Sequence, residues 1–134
     1  MNTRARQPEA WFEKAEHDLL SIANNVASDK VPWDKVTFDA QQAAEKYLKG
    51  FLVARLDEVP KIHDLVSLLA RCVTHDATLV GLNADCERLT RLGWLSRYPD
   101  TPDEPDEADA RVAIEIAQRV RSAIRQRVPV VGAE

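Results

Sequence analysis

The chain has 134 residues, of which 45% are hydrophobic and 30% are charged, and its formal net charge is -4. These values suit one globular domain with a single core, and they exclude a protein that binds nucleic acid through overall positive charge, although a local basic patch can still do so. No apolar run approaches the roughly 20 residues of a membrane-spanning helix, and no apolar stretch follows the basic N-terminus as in a secretory signal. We therefore expect a cytoplasmic protein without membrane contact.

Two segments in the first half of the chain have the apolar spacing of amphipathic helices. The spacing predicts a first helix over residues 9–27 and a second over residues 36–56. The second is the more regular, because its apolar residues recur on one helical face. They are Ala40, Ala43, Ala44, Tyr47, Leu48, Phe51 and Leu52.

Pro60 ends the second helical pattern, and three further helices are predicted after it. They span residues 63–73, 77–95 and 106–127, with a proline-rich loop over residues 96–105. No segment alternates apolar and polar residues as a strand does. The sequence therefore predicts an all-α fold: an antiparallel up-and-down bundle of about five helices. It forms one domain over residues 1–134, with its core at about residues 9–127.

The sequence contains no P-loop, no serine nucleophile elbow and no zinc-protease motif. His17, His63 and His75 lie in separate segments without a carboxylate or cysteine at ligand spacing, so we expect no metal site and no cofactor. Cys72 and Cys86 fall inside helical patterns, which indicates two small buried side chains in a reducing compartment. A disulfide between them is the alternative.

The candidate functional residues are polar side chains at three places in the chain. The second helix carries a glutamine and lysines on its less apolar face, a lysine and a histidine open the third helix, and an arginine–tyrosine pair lies in the proline-rich loop. We take as candidate nucleotide-binding residues Gln42, Lys46, Lys49, Lys61, His63, Arg97 and Tyr98.

Each place also has a purely structural interpretation. The helix start at His63 and Asp64 suits an acidic cap as well as a phosphate seat. Lys49 can be a solvated partner of Glu45. Arg97 can stack on a base or bind a phosphate, or it can anchor its loop to a carboxylate. The C-terminal arginines favour a solvated face, with RNA binding as the alternative: Arg119, Arg121, Arg125 and Arg127.

Four pieces of the sequence together resemble a known family. They are Gln-Gln-Ala-Ala-Glu-Lys-x-Leu-Lys over residues 41–49, Ala-Glu-His-Asp-Leu over residues 15–19, His-Asp-Leu over residues 63–65 and Arg-Tyr-Pro-Asp over residues 97–100. The chain resembles the HEPN family (higher eukaryotes and prokaryotes nucleotide-binding) over about residues 9–127.

This resemblance implies a small helical bundle that forms a homodimer, often paired with a minimal nucleotidyltransferase in a toxin–antitoxin type system. Some members of the family are metal-independent ribonucleases that carry an arginine and a downstream histidine with four to six residues between them. The chain departs from that signature, because Arg97 has no histidine downstream and Arg71 precedes His75 with three intervening residues. The chain therefore resembles the non-nuclease branch, for which nucleotide or nucleic-acid-related binding is implied.

Three functions remain open from the sequence. The first is a nucleotide-binding or interaction module, which requires that helix two, the start of helix three and the proline-rich loop converge in one pocket within or between subunits. Its site combines Lys46, Lys49, His63, Arg97 and Tyr98. The second is a ribonuclease toxin, against which the missing signature counts. The third is a structural dimeric interaction protein with tryptophans as interface anchors, although core packing is the simpler expectation for Trp11, Trp33 and Trp94.

Overall fold

The computed structural model describes residues 7–97 and 104–129, and in these ranges the chain is an all-α bundle without strands. This confirms the fold class predicted from the sequence. Its five α-helices are preceded or joined by short connections, and a short 3-10 helix, Ala77–Leu82, leads into the fourth. The helices are α1 (Pro8–Val26), α2 (Trp33–Ala54), α3 (Leu65–Val73), α4 (Asn83–Leu95) and α5 (Glu107–Arg127).

Helix α2 begins earlier than its apolar pattern predicts. The carbonyl of Pro32 accepts a hydrogen bond from the amide of Val36 at 3.0 Å, so the helix starts directly after this proline. Trp33, which the sequence placed in a loop, is therefore the first residue of α2. Proline suits a position next to a helix N-terminus, because the amide hydrogen that it lacks would have no partner inside the helix.

The predicted helices three and four also differ at their starts. Asp64 is the N-cap of α3 and accepts a hydrogen bond from the amide of Val66 at 3.0 Å, so α3 begins at Leu65 rather than at residue 63. The predicted helix over residues 77–95 is divided into the 3-10 helix and α4. Asp76 caps the 3-10 helix by accepting from the amide of Thr78 at 3.0 Å.

Helix α2 lies at the centre of the bundle and contacts α1, α3, α4 and α5. Its antiparallel pairing with α1 is fixed by Ser21 and Asp39 at 2.9 Å and by Lys46 and Asp18 at 2.7 Å. A helix surrounded on most sides cannot keep one face in water, so several polar residues of α2 are buried with its apolar ones. They are Thr37, Asp39, Gln41, Glu45 and Lys49.

Close contact between α1 and α2 depends on Gly50. A Cβ atom at this position would lie 2.5 Å from Cε1 of Phe12, closer than real Cβ atoms approach. The absence of that atom lets the Phe12 ring stack on Tyr47 with 5.2 Å between ring centroids. The hydroxyl of Tyr47 donates to Glu16, which also receives the guanidinium of Arg121.

Helix α3 begins beside the middle of α2 and ends beside its C-terminus. Near its end, Cys72 Sγ lies 3.6 Å from the carbonyl oxygen of Leu48. Cys72 and Cys86 are both buried and free, which confirms that they pack as small apolar side chains. Burial raises the pKa of each thiol to about 12.

The C-terminal arginines, expected to form a solvated face, are exposed or partly exposed and also contact other parts of the bundle. Three of them pair with carboxylates on α1, α4 or the turn before the 3-10 helix, and the fourth guanidinium lies over aromatic rings. The pairs are Arg119–Asp85, Arg121–Glu16 and Arg127–Asp76, and Arg125 lies 4.8 Å from the centroid of Phe12. Their contacts hold α5 to the bundle. Within the described ranges, no helix has both the length and the apolar character that crossing a membrane requires.

Candidate functional site

A row of three polar side chains runs along one side of α2. Gln41, Glu45 and Lys49 are spaced four residues apart, so successive turns of the helix place them on the same face. Their exposed fractions are 2%, 4% and 7%. The amide nitrogen of Gln41 donates to Glu45 Oε1 at 3.3 Å, and Lys49 Nζ donates to Glu45 Oε2 at 2.9 Å. The row therefore consists of the buried ion pair of Glu45 and Lys49 and of the Gln41 amide that is hydrogen-bonded to it.

The row reaches the surface at His63, just before α3. His63 Nδ1 lies 3.1 Å from Glu45 Oε2, and the backbone carbonyl of His63 accepts from the Gln41 amide at 3.0 Å. A carboxylate in an ion pair only accepts hydrogen bonds, so Nδ1 carries the hydrogen in this contact. The His63 side chain is 70% exposed, and its Nε2 remains available to a ligand.

A pocket of about 190 Å³ opens beside this histidine, between α2, the start of α3 and the end of α4. One wall is polar: the hydroxyl of Thr90 accepts from the amide of Leu65 at 3.1 Å. The lining also includes an aromatic ring from α4, that of Trp94, and the guanidinium of Arg97 just after this helix. Among the described residues, the lining consists of Gln41, His63, Asp64, Thr90, Trp94 and Arg97.

Gly93 brings the end of α4 against α2 at this pocket. A Cβ atom at Gly93 would lie 2.6 Å from Cγ and 2.9 Å from Cβ of Gln41, so only glycine permits the observed approach. The next residue, Trp94, and Arg97 one turn later are thereby carried to the pocket wall. The Arg97 guanidinium also lies 5.5 Å from the ring centroid of Phe38 on α2, a distance typical of a cation–π contact.

Two of the seven candidate residues line this pocket together, His63 and Arg97. Two others are connected to the lining through hydrogen bonds. Lys49 is connected to His63 through Glu45, and Gln42 donates to Oε1 of Gln41 at 2.9 Å. One interpretation of the sequence was that Lys49 is solvated. This interpretation is wrong, because Lys49 is buried on α2, which four neighbouring helices cover.

The remaining candidates do not join the site. Lys46 binds Asp18 of α1 at 2.7 Å, and it does not line the pocket. Burial raises the pKa of Asp18, which the hydrogen bond from Lys46 only partly opposes. Lys61 is exposed and also lies outside the lining. Tyr98 falls outside the described residues.

Sequence reasoning missed Gln41, Glu45, Thr90 and Trp94. The four-residue spacing of Gln41, Glu45 and Lys49 was visible in the sequence. A charged row on a single helix, however, is normally interpreted as its solvated face. Core packing was the expectation for Trp94, and this is wrong, since its side chain is 53% exposed. Trp33 is partly buried and packs against the core, as predicted, and Trp11 is partly buried.

The arginine and the histidine whose spacing comes nearest to the ribonuclease signature belong to a second charged cluster. Asp57 accepts from Arg71 at 2.8 and 3.1 Å, and His75 Nε2 lies 2.9 Å from the same carboxylate. The hydrogen bonds from Arg71 and His75 lower the pKa of Asp57 well below its usual range. Arg71 and His75 therefore join the C-termini of α2 and α3. Residues 7–97 and 104–129 contain no group of three or more potential metal ligands.

The chain matches the family model of the HEPN domain over residues 8–127. It belongs to the HEPN family. Comparison with curated proteins gave no match, and neither did comparison with solved structures.

Family membership makes this HEPN chain a module of the nucleotide-binding or RNA-related kind. In this HEPN domain, two of the sequence pieces that carry the resemblance, the α2 run and the segment before α3, meet at one polar pocket. Arg97 from the end of α4 completes it. The HEPN resemblance and the geometry thus indicate the same part of the bundle as the candidate site.

Proposed function

We propose that the pocket between α2, α3 and α4 binds the phosphate group of a nucleotide or of single-stranded RNA. One observation supports this above all: His63 and Arg97, far apart in the sequence, line the same pocket. The HEPN family assignment supports a nucleotide-related ligand. The proposal covers binding and does not include catalysis.

The chemistry of the two side chains suits a phosphate. A guanidinium offers paired donors that match two phosphate oxygens, and it stays charged throughout the physiological pH range. The imidazole of His63 presents Nε2, which donates to a phosphate oxygen when the ring is protonated. Glu45 holds Nδ1 at 3.1 Å, so the ring is already oriented before the ligand arrives. Preorganisation of this kind lowers the entropy cost of binding.

The test is a titration of the protein with AMP and with a short single-stranded RNA. We expect His63→Asn and Arg97→Gln each to weaken binding about tenfold or more, since a hydrogen bond to a charged group contributes about 1.5–3 kcal/mol. The matched controls are His17→Asn on α1 and Arg91→Gln on α4. Both are exposed, and neither lines the pocket. Unchanged affinity in the two pocket variants, or equal losses in the controls, contradicts the proposal.

A ribonuclease is the second candidate, because an arginine and a carboxylate-oriented histidine share the pocket. Such a pair can move a proton and stabilise phosphorane charge. The missing arginine–histidine signature counts against it. Incubation of the same RNA with the protein and EDTA decides between the two. Intact RNA favours binding, whereas cleavage that disappears in both pocket variants identifies a metal-independent ribonuclease.

We further propose, from the family resemblance, a cytoplasmic homodimer that pairs with a minimal nucleotidyltransferase in a toxin–antitoxin type system. The two free, buried cysteines support a reducing compartment. Light scattering measures the oligomeric state, and a monomer at micromolar concentration contradicts the dimer. The product of the adjacent reading frame tests the pairing, by its identity and by copurification. If no nucleotide binds, the remaining hypothesis is that the chain is a structural interaction protein.

A further inference from the structure

Trp94 is the exposed aromatic side chain in the pocket. Four large hydrophobic side chains in the described ranges are exposed, and Trp94, at 53%, is the aromatic one among them: Leu20, Leu56, Val80 and Trp94. It also shares the pocket lining with His63 and Arg97. An exposed indole beside a guanidinium is the combination with which proteins hold unpaired bases.

The charges of the side chains around the pocket explain why the Trp94 ring would contribute to binding. Among the described residues of the lining, Arg97 is an arginine and Asp64 carries a carboxylate, so these two charges partly offset each other. Asp64 stays in place because it accepts from the amide of Val66 at 3.0 Å and from Ser67 Oγ at 2.8 Å. Asp64 therefore reduces the attraction of Arg97 for a phosphate, and a contact with another part of the ligand would add to the affinity.

The size of the pocket limits which other part of the ligand can enter it. A volume of about 190 Å³ is below the roughly 300–1,000 Å³ of pockets that enclose a whole small ligand. It suits a single flat group, with the rest of the ligand at the surface. A base inside a duplex has neighbours stacked on both faces, so it cannot lie against Trp94 without leaving the stack.

We propose that the pocket takes one unpaired base, stacked on the Trp94 indole, while the phosphate of the same nucleotide binds Arg97 and His63. This inference rests on the proposed function, because it assigns the ligand class of the same pocket. The ligand is a ribonucleotide or an unpaired position of an RNA strand. Duplex RNA of the same sequence binds more weakly.

The test separates the base from the phosphate by comparing AMP with ribose 5-phosphate, which lacks the base. We expect the wild-type protein to bind AMP about 5- to 150-fold more tightly, the range of base–aromatic stacking. Trp94→Leu removes this preference, because it weakens AMP binding more than it weakens ribose 5-phosphate binding. Trp94→Phe keeps an aromatic ring and retains most of the preference, and it serves if the leucine variant does not fold.

The outcomes distinguish this inference from the proposed function. Equal wild-type affinities for the two ligands, or an AMP preference that survives in Trp94→Leu, overturn the stacking proposal while phosphate binding stands. Ribose 5-phosphate binding that is unaffected by Arg97→Gln overturns the phosphate site itself. Absence of binding by both ligands overturns both. A duplex that binds as tightly as the single strand overturns the requirement for an unpaired base.

Discussion

The ion pair of Glu45 and Lys49 is almost fully removed from water, and this gives a measurable stability prediction. The two side chains are 6% and 8% exposed, and the charged atoms lie 2.9 Å apart. Removal of one partner from a buried pair costs about 3–5 kcal/mol, because the other charge stays buried without its partner. That is a large part of the roughly 5–15 kcal/mol that stabilises a typical domain.

The structure also ranks the two single variants. In Lys49→Met, the Glu45 carboxylate keeps donors from Gln41 and His63, so we expect a loss near 3 kcal/mol. In Glu45→Leu, the Lys49 ammonium loses the acceptor that the structure gives it, so we expect a loss near 5 kcal/mol. The double variant removes both charges. Two hydrogen bonds to Glu45 are still lost, and we expect a cost of about 1–2 kcal/mol.

Urea unfolding followed by circular dichroism at pH 7 measures these differences. With a slope near 2 kcal/mol per molar urea, a loss of 4 kcal/mol moves the midpoint by about 2 M. The control is Glu107→Gln, which breaks the exposed pair with Arg111 at side-chain exposures of 56% and 53%. A surface pair contributes about 0–1 kcal/mol. Single losses below about 1 kcal/mol, or effects that add in the double variant, refute the reasoning.

Three further predictions concern other parts of the bundle. Leu56→Gly raises stability by about 0.5–1 kcal/mol in thermal unfolding, because Leu56 ends α2 at a φ of 59°, where a side chain is strained and glycine is not. Asp57→Asn destabilises the protein at pH 7. Because Arg71 and His75 lower the Asp57 pKa in the folded state, the difference from wild type shrinks as the pH falls below about 4. Burial and a hydrogen bond to Glu16 raise the Tyr47 pKa to about 12, so stability falls as the pH rises from about 10 to 12, and Tyr47→Phe removes that dependence.

Local patterns were enough to predict the helices of this chain. Helix α5 was predicted over residues 106–127 and spans Glu107–Arg127, because its start is marked by Asp106 and its end by arginines. Asp106 accepts from the amide of Asp109 at 2.9 Å, and Asp109 accepts from the amide of Asp106 at 3.2 Å. Signals within a few residues of each other therefore fixed this boundary.

The candidate site was predicted only in part, because it depends on which helices cover α2. His63 and Arg97 were identified from their residue types and their places at segment ends. Gln41 and Glu45 were missed, since the periodicity of a single helix does not show how many neighbours surround it. The same ambiguity made Lys49 look solvated. A polar row on a central helix and one on a surface helix have the same sequence pattern.

Stability alone gives no reason for the buried polar row of α2. An apolar replacement of a buried ion pair is often neutral or stabilising, so a bundle of this size can fold without one. The row reaches solvent at His63, which lines the pocket and whose Nδ1 contacts Glu45. The double variant Glu45→Leu/Lys49→Met therefore separates the two roles. It should keep most of the stability of the fold and lose the fixed orientation of His63, and with it part of the affinity for AMP.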